Sequence, residues 1–114
     1  MGENRFPLSE YRGMWLFVLF DLPVLSKDEK RHYVQFRNSL IQDGFTMLQY
    51  SVYARYFESE EAGGAHRKRV RSLLPPKGHV RLLSVTDKQF AKMENYVGKT
   101  PANTEEPPDQ LYLL

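Results

Sequence analysis

Two groups of residues in this chain have the types and spacing to do chemistry. The first is a single carboxylate, Asp21, which closes the unbroken apolar run Met14-Trp15-Leu16-Phe17-Val18-Leu19-Phe20. Aspartate is depleted in strands and costly to bury without a partner. At the end of a core strand it is either paired locally or placed there for a metal ion or a reaction. The second group is basic. From His66 to Arg81 the chain carries Arg67, Lys68, Arg69, Arg71, Lys77 and Arg81 with no acid between them. Such a set is either a solvated helix face or a surface that meets phosphates, which position a nucleic acid without reading its sequence. Arg31, Arg37 and Arg55 extend that surface if the fold brings them to it. Beyond Lys99 the balance reverses, with Glu105, Glu106 and Asp109 and no base. Other candidates are weaker. Ser51 has no histidine at a suggestive spacing, and a kink between strand segments accounts for it. His66 falls on an apolar helical stripe and reads as packed, and His32 and His79 read as solvent-side or at a strand start. The acids Asp28, Glu29, Asp43, Glu58, Glu60, Glu61 and Asp87 sit at helix starts, turns or strand ends, where capping explains them.

The elements that must position these residues follow from periodicity. Pro23 pushes Leu22 out of helical space and ends the first strand, read over Gly13 to Asp21. Its length and branched, aromatic content mark a strand buried on both faces. Ser26 and Glu29 form a capping box. The helix it opens carries Tyr33, Phe36, Leu40 and Ile41 on one stripe, and Gly44 is a left-handed stop. Phe45 to Glu58 is too long for one strand and divides near Gln49-Tyr50-Ser51. Its second half puts Val52, Ala54 and Tyr56 on one face and Tyr53, Arg55 and Phe57 on the other. Ser59 caps a second helix through Leu74, with Ala62, His66, Val70, Leu73 and Leu74 inward; Gly63 and Gly64 each weaken it by about 1 kcal/mol relative to Ala. His79 to Val85 is a strand, Lys88 to Ala91 one short turn capped by Thr86-Asp87, and Met93 to Val97 a last short strand.

The order β-α-β-β-α-β is the ferredoxin-like, α+β arrangement, an antiparallel sheet with both helices on one face, plus a short extra C-terminal strand. The chain divides into an N-terminal extension (residues 1–12), this domain (13–98), and a flexible acidic linker with an apolar tail (99–114). Helices on one face leave the other uncovered, yet the first strand and His79–Val85 are apolar at both parities. The bare face needs a cover, either a second copy in a two-fold dimer or the chain's own tail. The tail's Leu111-Tyr112-Leu113-Leu114 is apolar enough to add as a strand to a partner's sheet edge.

Bulk properties bound the rest. At 114 residues with 41% hydrophobic content, the chain makes one domain with a modest core. The net charge of +2 names no partner. Cysteine is absent, which removes disulfides and thiolate metal sites and suits a reducing cytoplasm. No apolar run is long enough to span a bilayer, and the first residues lack the order of a signal peptide.

Read together, Phe20-Asp21-Leu22-Pro23 and Gly44-Phe45-Thr46-Met47-Leu48-Gln49-Tyr50-Ser51-Val52-Tyr53 resemble the CRISPR-associated protein 2 family. Leu73-Leu74-Pro75-Pro76-Lys77-Gly78-His79-Val80-Arg81 and Val85-Thr86-Asp87-Lys88-Gln89-Phe90 are similar to the subgroup that accompanies single-protein, RNA-guided effector nucleases. The resemblance runs from Gly13 to about Gly98. It implies a homodimer seated between two dimers of the CRISPR-associated integrase, capturing double-stranded DNA for insertion as a spacer. It favours the integrase as the receiver of the tail, with the protein's own dimer mate as the alternative. It also implies metal-dependent endonuclease activity, on RNA or double-stranded DNA, in some members. Asp21 is then the Mg²⁺ (or Mn²⁺) ligand, facing its twin across the two-fold axis. A stand-alone, toxin-like endoribonuclease is the alternative expectation.

Overall fold

The computed structural model describes residues 13–107. The elements are β1 (Met14–Asp21), α1 (Lys27–Gln42), β2 (Thr46–Gln49), β3 (Val52–Phe57), α2 (Glu60–Ser72), β4 (His79–Thr86), α3 (Asp87–Ala91), β5 (Asn95–Val97) and β6 (Thr100–Ala102). The main sheet runs β2-β3-β1-β4. Every neighbouring pair is antiparallel, with Leu16 opposite Arg55 on one side and Ser84 on the other. This is the expected ferredoxin-like α+β fold. The N-terminal extension and the tail residues Leu111, Tyr112, Leu113 and Leu114 lie outside the described residues.

β1 sits inside the sheet, between β3 and β4, with buried apolar residues on both faces. Leu16, Val18 and Phe20 point to the helical layer, where they pack with Phe36 and Leu40 of α1, Tyr53 and Phe57 of β3, and Val70 of α2. Trp15 points the other way and forms a second, smaller cluster with Ala54 and Phe90. The short helix α3 therefore covers one end of the face that the sequence left bare. Phe90 stacks flat on Trp15 with ring centroids 3.9 Å apart, and the indole Nε1 donates to Asp87 Oδ1 at 3.0 Å. Asp87, read as a capping residue, thus anchors the cover, while Thr86 makes the cap and forms a capping box with Gln89. Phe17 meets the same Phe90 ring at 5.7 Å, but the other end of this face, around Leu19 and Leu83, has no such cover; Leu83 is 52% exposed.

Three details differ from the expected stripes and strands. Ile41 is exposed because α1 contacts the sheet through Phe36 and Leu40, and Ile41 lies past their edge. α2 ends at Ser72 and packs through Gly63 and Val70 in place of Ala62 and the terminal leucines, which stay largely exposed. Gly63 faces the Phe57 ring, and a Cβ there would meet it at 3.5 Å, an ordinary packing contact. Finally, Thr100–Ala102, in the stretch read as linker, pairs with Asn95–Val97 as a two-stranded sheet. The turn Gly98 (φ +63°) reverses the chain between them, so one extra strand became a hairpin.

The end of the sheet that bears Asp21 is fixed by glycine. Gly78 has φ +98°, and a Cβ there would lie 2.7 Å from both the Asp21 carbonyl oxygen and a Leu22 methyl. Gly78→Ala is expected to cost about 2 kcal/mol, through strain and collision. Gly64→Ala, in α2 with open space around it, is expected to gain up to about 1 kcal/mol. Urea unfolding of the two variants measures both signs. On the other side of the same loop, the N–H groups of Ser26 and then Leu25 hold the Glu29 carboxyl below its ordinary value of 4.5, with Lys77 adding attraction. A lowered native pKa stabilises fully above the unfolded value and is lost as pH falls through the native one. Glu29→Gln should therefore flatten the acid limb of the stability–pH curve below about 4.5 and leave the neutral limb's shape unchanged.

Candidate nucleic-acid interface and carboxylate site

Asp21 ends β1 on the open face of the sheet, at the same parity as Phe17 and Leu19. It is exposed, stands opposite His79 of β4, and has no side-chain hydrogen bond or ion pair among the described residues. The backbone around it is held: Phe20 N–H donates to Ser51 O at 3.1 Å, and Leu22 is buried. Among the described residues no three His, Cys, Asp or Glu side chains cluster as a metal site. One carboxylate in one chain does not enclose a cation, since Mg²⁺ prefers several oxygen ligands.

The basic residues separate into distinct settings. Lys68 and Arg71 are exposed on α2 with no side-chain partner among the described residues. Arg67 reaches back to the sheet and donates to Ser84 Oγ. Arg81 alternates with the inward-facing Val80 and Leu82 and so projects from the opposite, open face beside Leu19. Lys77 stands 3.8 Å from Glu29, and Arg31 pairs with Asp28 at 2.9 Å, one turn away on α1. Arg37, also on α1, is half-buried, and its Nε has no partner among the described residues. The unbroken basic run of the sequence is therefore not one surface: the fold divides it between the outside of α2, the loop before β4 and the open sheet face.

Two of the cations, Arg55 and Arg69, converge on an acid that the sequence reading treated as a cap. Asp43 closes α1, and its side chain is only 9% exposed. His66 Nδ1 donates to Asp43 Oδ2 at 2.7 Å, and Arg69 donates to Oδ1. Arg55, rising from β3 over the Phe57 ring, donates to the Asp43 backbone carbonyl. A carboxylate at a helix C-terminus is disfavoured by the helix dipole, and these three groups offset it. The arrangement ties the end of α1 to α2 and β3. It also explains Gly44 (φ +88°), where a Cβ would press on the Arg55 guanidinium at 3.2 Å. His66 is thus packed, as the stripe implied, and hydrogen-bonded as well. The signal in the sequence was slight: an acid directly before the helix-stopping glycine, with His66 and Arg69 three residues apart on one helical face. Asp43→Asn is expected to lower stability by about 2 kcal/mol, because it leaves half-buried cations without their counter-charge. Arg69→Ala, at a half-exposed position, is expected to cost less than about 1 kcal/mol. Urea denaturation of the two variants separates the contributions.

Comparison with known proteins places this arrangement. Residues 14–93 match the family model described as CRISPR associated protein Cas2. The chain is 42% identical over 112 residues to the CRISPR-associated endoribonuclease Cas2 of Flavobacterium psychrophilum, covering 98% of this chain and 97% of that one. It is 44% identical over 101 residues to the protein of the same name from Parvibaculum lavamentivorans, covering 89% of this chain and all of the relative. A third, from Acidovorax ebreus, is 47% identical over 85 residues, covering 75% of this chain and 83% of the relative. The matched span runs from the first residue of β1 past the end of α3, taking in the open sheet face, Asp21 and the Asp43 cluster. The chain belongs to the CRISPR-associated Cas2 family.

Proposed function

We propose that this protein is a subunit of the CRISPR adaptation machinery: a homodimeric scaffold that binds double-stranded DNA and joins integrase dimers for spacer acquisition. The observation that carries the reading is the open sheet face. Leu19 and Leu83 lie there beyond the reach of α3, whose Phe90 contacts Phe17, and Asp21 stands at the end of the same face. A second copy packed on it by two-fold symmetry buries the apolar residues and brings the two Asp21 carboxylates toward one another. The exposed cations Lys68 and Arg71 of each copy stay outside that contact and are free for phosphate. Contacts of this kind carry no sequence preference, which suits a protein that must accept arbitrary DNA.

Metal-dependent cleavage is the second reading, favoured by the name endoribonuclease carried by the relatives. Two Asp21 carboxylates across a dimer axis, with substrate phosphate, match the oxygen ligands that Mg²⁺ or Mn²⁺ takes. The ion would supply charge neutralisation at a phosphodiester. This chain's part is to hold Asp21 exposed on a backbone fixed by Gly78 and Ser51.

Lys68→Glu with Arg71→Glu is expected to weaken duplex binding at least about tenfold and to flatten its log–log salt dependence by about two. Asp21→Asn should leave duplex binding within about twofold and abolish any Mg²⁺-dependent cleavage of RNA or DNA. Sedimentation of the purified chain as a monomer at micromolar concentration, or duplex binding indifferent to the double reversal, would count against the scaffold. Cleavage that survives Asp21→Asn would remove the carboxylate from the nuclease reading.

A further inference from the structure

We infer that Tyr50 is a stacking platform for an unpaired nucleobase, so that the protein holds a single-stranded segment as well as a duplex. The inference goes beyond the duplex scaffold and does not require cleavage. Tyr50 occupies the turn between β2 and β3 and is 74% exposed. Its neighbour Ser51 has φ +64°, the only positive φ of a non-glycine residue among the described residues. Strained backbone of this kind persists where the surrounding structure over-determines it, and it concentrates at ligand sites. Here the Phe20 N–H clamps the Ser51 carbonyl, which fixes the turn beside the end of β1.

The ring is braced from behind and open in front. Tyr33 of α1 lies nearly parallel to it, with centroids 6.4 Å apart and 26° between planes. Tyr33 in turn meets Phe20 edge-on at 6.0 Å, and Phe20 contacts Phe36 and Tyr53 in the core. A chain of rings thus runs from the hydrophobic core to a single exposed aromatic. Burial, and then the hydrogen bond with the Tyr50 hydroxyl, push the Tyr33 phenol pKa above its ordinary value.

The surroundings select the ligand. Tyr33, His32, Lys77 and Glu29 line one small cleft at this end of the fold; Lys77 is 71% exposed and stands 3.8 Å from Glu29. Arg37 lies one helical turn beyond Tyr33 on the same side of α1, half-buried, with its Nε enclosed in the packing. An exposed, flat π-face with the exposed Lys77 ammonium near its supporting ring Tyr33 fits a base and its backbone phosphate. It fits a purely apolar protein surface less well, because Gln49 and Ser51 flank the ring.

The test uses the full chain and short single strands, DNA and RNA, carrying 2-aminopurine at successive positions, without divalent metal. The expected result is quenching of the probe by the native protein. Tyr50→Leu should abolish the quench and weaken single-strand binding about tenfold, while Tyr50→Phe and Tyr50→Trp preserve both. Binding of a blunt duplex should stay within about twofold in all three. A quench that persists in Tyr50→Leu overturns the inference, and so does equal loss of blunt-duplex binding. Equally adverse is a Tyr50→Leu variant that binds single strands normally but no longer binds the integrase, which would make the ring a protein contact. Thermal unfolding of each variant guards against misfolding, and Tyr50→Trp keeps the question answerable if Tyr50→Leu fails to fold. Failure of the native protein to bind blunt duplex sinks the scaffold and leaves the quench to decide this proposal alone.

Discussion

A central strand that is apolar on both faces cannot be satisfied by one layer of helices. That constraint organises the whole chain. The even residues of β1 build the main core with α1 and α2, and the odd ones require something on the far side. The chain meets part of that demand itself by placing α3 over Trp15, with a flat aromatic stack and an indole hydrogen bond to hold it. Aromatic contacts of this kind contribute about 1 kcal/mol beyond the area they bury. The remaining stretch of the face, from Leu19 to Asp21, is where self-association is proposed, and the constraint therefore links core packing directly to the placement of the Asp21 carboxylate.

Charge is distributed by a second constraint. α1 ends on an acid, at the pole of the helix where negative charge is least welcome. Asp43 is stabilised there only because β3 supplies Arg55 and α2 supplies His66 and Arg69. Those side chains hold the helical layer to the sheet, and Arg55 in particular is drawn in over Phe57. Cations with structural work of this sort are poor candidates for phosphate, whereas Lys68 and Arg71 one turn away have no competing partner among the described residues. A basic run in sequence is thus sorted by the fold into residues that staple and residues that remain available.

Much of this was legible beforehand, for identifiable reasons. Caps are local: Ser26 with Glu29, and Ser59, announce helices through a few neighbouring residues, and the helices start where they say. Alternation along β3 is equally local, and Tyr53, Arg55 and Phe57 share the helical side as the period requires. The unread parts depend on distance in sequence. Asp43 meets His66 across 23 residues, and Trp15 meets Asp87 across 72; neither acid's own neighbourhood distinguishes a cap from a long-range anchor. The β5–β6 hairpin was missed because Pro101 discouraged a strand. A short two-stranded ribbon tolerates proline at its edge.

The alternation that divides β1 also keeps its proposed roles apart. Asp21 belongs to the open face with Leu19, whereas Phe20 faces the helices and braces Tyr33, and through it Tyr50. A second copy laid on the open face would cover Leu19 and Leu83 and draw Asp21 toward the axis. It would leave Tyr50 uncovered, because that ring leans on α1 from the other side of the sheet. Pairing of subunits and capture of an unpaired base therefore use opposite faces of one strand end, fixed by the same two backbone devices, Gly78 beneath Asp21 and the left-handed Ser51 beside Phe20. Because both faces share that rigid end, a change that loosens the backbone there should disturb both roles together, while changes to either side chain alone should separate them.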